Sequence, residues 1–236
     1  MSRNIVITGA GRGLGYSITQ KHVDMDDKVY ALTRQMTDEL EKLAGLSKNL
    51  KVLICDIGST PSVEAAAREI LSEGRQIDIL YNVAAVYNHE DKVGLAETDL
   101  DACMQMYGIN AVGALRVCKA LLPLIQKGSL VANISSEAGS IGAARRKQEY
   151  SYCMSKAALN MGTKLLSNEL WDCSARVIAI HPGWVRTRMG GPESFKSKYS
   201  VSPEESADGI INIALNIGSI PQDRMFMQYN GEIIQW

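Results

Sequence analysis

The chain has 236 residues, 46% of them hydrophobic and 22% charged, with a formal net charge of −1. That makeup suits one globular domain with a sizeable core, and the near-neutral charge excludes a polyelectrolyte that grips nucleic acid or an anionic membrane. No apolar run approaches the ~20 residues of a bilayer span. The first strand is expected almost at once, leaving no room for a signal peptide. The five cysteines include no CxxC pair. They read as free thiols of a reducing, cytoplasmic compartment, with no metal site.

Short β-branched runs alternate with longer helical patterns along the chain. Strands are expected at 4–8, 28–34, 51–56, 77–83, 129–135 and 176–181, with a short seventh at 224–228. Several of these, such as NIVIT, KVLICD and RVIAIHP, are nearly continuous in apolar residues. Strands buried on both faces of a parallel sheet read this way. Helices fit between them at 14–23, 38–46, 62–73, 100–126, 151–171 and 203–216. Thr60-Pro61 and Ser202-Pro203 supply helix-start signals. The βαβαβ order predicts an α/β fold of Rossmann type: a single domain over residues 1–236, a doubly wound parallel sheet of about seven strands flanked by helices.

The turn after the first strand reads TGAGRGLG, residues 8–15. Gly9, Gly11, Gly13 and Gly15 have no Cβ. They permit a tight turn and close approach of a pyrophosphate to the backbone around Arg12 and Leu14. The following helix start offers free N–H groups and a positive dipole end to phosphate. The second strand ends at Thr33-Arg34, where a carboxylate would hold a ribose 2′-hydroxyl. Arg34 and Arg12 could instead clamp a 2′-phosphate, so NADP(H) is favoured over NAD(H). Asp56, with Ile57 beside it, ends the third strand and is placed to meet the adenine.

Farther on, YSYCMSKAALN opens the fifth long helix. With nine tyrosines in the chain, one Tyr-x-x-x-Lys match carries little weight alone. Its context adds weight. Tyr152 and Lys156 share a helix face at i and i+4. A nearby ammonium and a cationic nicotinamide would favour the phenolate and lower the phenol pKa, so that Tyr152 could exchange a proton with an alcohol oxygen. The fifth strand ends in ISSEAG on the same sheet edge as the glycine loop.

Together these segments resemble the short-chain dehydrogenase/reductase family over nearly the whole chain. The wording HPGWVRTRMGG and YNGEIIQW is most similar to its C-factor and sniffer-type carbonyl reductase branch. The resemblance implies hydride exchange between NADP(H) and a small carbonyl or secondary alcohol. Tyr152 would be the acid/base, Ser136 (rather than Ser135) the hydrogen bond to the substrate oxygen, and Lys156 the ribose ligand. Asn110 of INAVG would hold a water that links Lys156 to solvent. Pro182, Gly183, Val185 and Thr187 would contact the nicotinamide and pyrophosphate. Asn82, Val83 and Ala84 would line the adenosine side. There YNVAA stands where the family carries NNAG, a departure expected to alter loop geometry and cofactor affinity rather than chemistry. The resemblance also implies a homodimer or homotetramer. A catalytically silent NADP-binding regulator on the same fold is the second reading.

Overall fold

The computed structural model describes residues 2–236. A parallel sheet runs through it in the order β3-β2-β1-β4-β5-β6-β9. Its strands are β1 (Asn4–Thr8), β2 (Lys28–Thr33), β3 (Leu50–Ile54), β4 (Ile79–Asn82), β5 (Leu130–Ile134), β6 (Arg176–His181) and β9 (Phe226–Gln228). A two-residue ribbon, β7 (Trp184–Val185) with β8 (Ser200–Val201), lies apart from the sheet and was not foreseen. The expected doubly wound α/β architecture with seven strands is present. The strand order reverses direction between β1 and β4, the switch point where such sheets open a crevice for ligand.

Successive side chains alternate across each strand, and in the central strands both sets are buried, whereas edge strand β3 leaves Ile54 exposed. Ile5 and Ile7 pack under α1 (Gly13–Asp24), α2 (Asp38–Leu46) and α7 (Pro203–Leu215). Val6, Tyr30 and Leu32 pack under α3 (Thr60–Leu71), α5 (Ala114–Leu121) and part of α6 (Tyr150–Glu169). Local chemistry sets the helix starts. Thr37, Ser59 and Ser202 accept hydrogen bonds from the first turns of α2, α3 and α7. Pro61 and Pro203 occupy first-turn positions, where the missing N–H costs nothing.

One expected element is divided. The single helix anticipated over 100–126 is α4 (Leu100–Tyr107), a π-helical turn (Gly108–Gly113), α5 and a 3-10 turn at Leu122–Leu124. Pro123 lacks the N–H that α5 would need to continue. The π turn inserts an extra residue and carries Asn110 inward, where its side chain finds partners outside the helix. Strand ends also fall short of expectation: β2 stops at Thr33 and β3 at Ile54, so Arg34 and Asp56 lie in the loops beyond.

Candidate active site

At the glycine turn the backbone is closed on itself. A Cβ on Gly15 would stand 2.2 Å from the Gly9 carbonyl oxygen, and one on Gly9 2.9 Å from the Ala84 backbone. Gly13 has φ +54 and faces the Thr187 methyl, 3.1 Å from where a Cβ would stand. The stretch from Pro182 to Thr187 thus folds over the same turn. Gly183, at φ +80, makes its bend, and Val185 is buried behind it. Pro182 accepts a hydrogen bond from the Ser206 hydroxyl at 2.7 Å. Leu14 is buried below the turn in the core.

Around the turns leaving β1 and β2, the Gly11 carbonyl accepts from the Thr37 hydroxyl at 2.8 Å, and Thr33 Oγ1 donates to the Gln35 carbonyl at 2.9 Å. Arg12 and Arg34 are exposed. Neither forms an ion pair among the described residues. Asp56 Oδ1 accepts from the Gly58 N–H at 2.9 Å, and Ile57 is buried beside it. The departure YNVAA is tied down by Thr8, whose Oγ1 accepts from the N–H groups of Val83 (3.0 Å) and Ala84 (3.1 Å). Asn82 donates to Asn133 Oδ1 at 2.8 Å, while its own Oδ1 is buried without a partner.

Tyr152 and Ser136 meet at the open edge. Both serines are buried; Ser135 donates to Asn160 Oδ1 of α6 at 2.6 Å, whereas Ser136 donates to Glu137 of the turn beyond β5. Ser136 Oγ accepts from the Ala138 N–H at 3.1 Å, donates to Glu137 Oε2 at 2.6 Å, and lies beside the Tyr152 phenol. The turn after Ser136 is pressed on α6. A Cβ at Gly139 would stand 2.7 Å from the Lys156 backbone, and this contact holds Ser136 and Tyr152 together. Lys156 is buried, donates to the Ile134 carbonyl at 2.8 Å, and lies 5.9 Å from the Tyr152 ring centre. Burial pushes its ammonium down to about 8. Desolvation also pushes the Tyr152 phenol up to about 12. In the chain without cofactor desolvation dominates, and Lys156 is not among the groups that act on the phenol.

Asn110 uses its whole side chain locally. Oδ1 accepts from the Val86 N–H at 2.8 Å, and Nδ2 donates to the Val86 carbonyl (2.9 Å) and to Ser155 Oγ (3.1 Å). It fixes the loop after β4, which carries Tyr87 edge-on against Tyr152 at 5.0 Å between ring centres.

Sequence reasoning missed the acidic residues that frame this edge. Buried Asp91 accepts from Ser151 Oγ (2.9 Å) and the Tyr152 N–H (3.3 Å), anchoring the start of α6. Glu149, left-handed at φ 65, accepts from Tyr87 and Arg146. Glu137 accepts from Ser136 Oγ at 2.6 Å and from Arg146. For Glu137 the only available signal was its place beside Ser136; Asp91 and Glu149 offered none.

The profile of the short chain dehydrogenase family matches residues 3–197. A Rhodococcus protein named 1-hydroxy-2-glutathionyl-2-methyl-3-butene dehydrogenase is 31% identical over 98% of this chain and 99% of its own length. The C-signal protein of Myxococcus xanthus is 33% identical over 68% of this chain and 93% of its own. A carbonyl reductase from chicken fatty liver, solved with NADPH bound, superposes with a TM-score of 0.90 at 28% identity, covering 100% of this chain and 99% of that one.

Proposed function

The chain belongs to the short-chain dehydrogenase family, and from that membership we propose that it reduces a small carbonyl substrate to an alcohol at the expense of NADPH. The observation that carries the reading is the half-buried Tyr152 phenol set beside Ser136, with Lys156 5.9 Å from its ring centre, at the edge where the glycine turn opens. The residues present fit a dinucleotide. The glycine turn leaves no side chain over the start of α1, Thr187 closes against it, and two unpaired guanidiniums stand at its adenosine side. NADPH would supply the hydride when bound. Similarity to a carbonyl reductase solved with NADPH supports that cofactor, as do Arg12 and Arg34.

The chain's own groups do the rest. Tyr152 Oη gives its proton to the oxygen that becomes the alcohol; a phenol held at about 12 is an acid stocked with protons at neutral pH. Ser136 orients that oxygen. Lys156, at about 8 in its buried seat, exchanges a proton near neutrality and can bond a ribose hydroxyl. Asn110 holds the floor of the pocket through Val86.

The test is NADPH oxidation with a panel of neutral aldehydes and ketones, for the wild type and Tyr152→Phe. Turnover should fall by about 10²–10⁴ in the variant, with NADPH binding, followed by fluorescence, retained. A Tyr152→Phe protein as fast as the wild type would overturn the reading. NADPH binding without turnover of any carbonyl would favour the silent regulator.

A further inference from the structure

Ser136 has a single hydroxyl proton, and in this structure that proton is committed. Ser136 Oγ donates it to Glu137 Oε2 at 2.6 Å, the distance of a strong, charge-assisted bond. The other Glu137 oxygen is paired with the Arg146 guanidinium, which also bridges to Glu149. His181 Nδ1 lies 3.5 Å from Oε2 and is buried with no hydrogen-bond partner of its own. Burial works against the Glu137 charge, but His181, Ser136 and Arg146 together hold its carboxyl below the ordinary carboxylate range. Ser136 therefore shows the pocket only lone pairs. A carbonyl oxygen is itself an acceptor, so it gains nothing from the hydroxyl in this arrangement.

Resting on the reductase reading above, we propose that Glu137 is a positioning residue that holds the Ser136 hydroxyl proton away from the substrate oxygen, with Arg146 fixing the carboxylate in that pose. The hydroxyl must let go of Glu137 before it can donate to a carbonyl. Glu137 then acts as a restraint on the reduction rather than as a participant in it.

Two measurements test this. In the cofactor-free protein, the carbon-13 shift of the Glu137 side-chain carboxyl is followed through an acid titration, with Glu137→Gln identifying the signal. Its midpoint should rise in Ser136→Ala, because the hydroxyl no longer stabilises the charged form. An unmoved midpoint overturns the proposal, whether or not the protein turns over any carbonyl. The second measurement is steady-state reduction of a neutral aldehyde. Glu137→Ala should raise kcat on the order of ten-fold, with KM little changed, since a hydrogen bond to a charged group no longer has to break. Glu137→Gln should give a smaller rise in the same direction, and it preserves the side-chain shape if the alanine protein folds poorly. Both rises should vanish in a Ser136→Ala background. A fall in kcat, or the same change with and without Ser136, overturns the proposal. If no protein reduces any carbonyl, the reductase reading falls, and the carboxyl titration still decides whether Glu137 holds the Ser136 proton.

Discussion

Replacing Ser135 and Ser136 by alanine, one at a time, should move different measurements. Ser135 Oγ is buried and supplies Asn160 Oδ1 with its partner at 2.6 Å. Ser135→Ala leaves that oxygen unsatisfied, with an expected loss of about 1–3 kcal/mol in denaturant unfolding and only a secondary effect on rate. Ser136→Ala removes a hydroxyl at the crevice edge and should lower kcat for carbonyl reduction while shifting stability by less. Equal stability losses in the two variants would contradict this division. The pair also shows what was readable at this scale. The motif order favours Ser136 over Ser135, and the bond from Ser135 to Asn160 gives Ser135 a structural partner of its own. Asp91 and Glu149 were not readable, because an acidic residue in a loop looks like any solvated charge. Asp91 acquires its role only by meeting Ser151 and Tyr152, some 60 residues away in the chain.

The adenosine side of the crevice is made by two neighbouring elements. β1 and β2 run parallel in the register Thr8↔Leu32, so the turns leaving their ends lie side by side. The Ala10 N–H donates to the Leu32 carbonyl at 3.1 Å and stitches the turns together. This brings Arg12, at the start of α1, and Arg34, just past β2, to one edge. Changing both to alanine should weaken NADPH binding by roughly ten- to a hundred-fold, the worth of charge-assisted bonds to a phosphate, and leave NADH binding nearly as it was. Titration of each cofactor into the variant checks this; parallel losses for both would remove the arginines from the 2′-phosphate. The strands and their parallel, doubly wound arrangement were legible because continuous apolar runs announce a two-sided sheet; their order across the sheet was not. The break at Gly108–Gly113 was not, since a π turn has no hydrophobic period of its own and exists here because Asn110 finds Val86 and Ser155.

Across the whole molecule, the end of the sheet away from the crevice is fastened by a buried polar group. His22 lies between Asp27 (2.8 Å) and Tyr81 (3.1 Å), and Asp27 also accepts from Arg3. Burial holds His22 below its ordinary 6.5 and thus neutral. Burial acts against the Asp27 charge, yet the bonds from Arg3 and His22 outweigh it and keep that carboxyl low. Both folded values lie below the unfolded ones. The unfolded chain therefore binds more protons here in acid, and the stability these two groups contribute is full above about 6.5 and declines as the pH falls. The unfolding free energy of the wild type should drop on going from neutral pH into the acid range. In Asp27→Asn it should start lower and change less with pH. A wild-type stability that is flat between neutral pH and pH 4 would refute this account.

By itself the sequence determined the doubly wound α/β fold, the glycine turn, the Tyr152–Lys156 pairing on one helix face and the place of Ser136. Each rests on short-range rules: the strand and helix periods, the absence of a Cβ, the spacing of one turn. Tertiary structure alone decided how those groups are set. It set Tyr152 where desolvation pushes the phenol up in the chain without cofactor, and it spent Asn110 on the loop after β4. It also brought Arg146 and His181 around Glu137, so that the Ser136 proton points to a carboxylate. Desolvation and hydrogen bonding act over a few ångströms in space. No pattern along the chain records which distant residues will share those few ångströms.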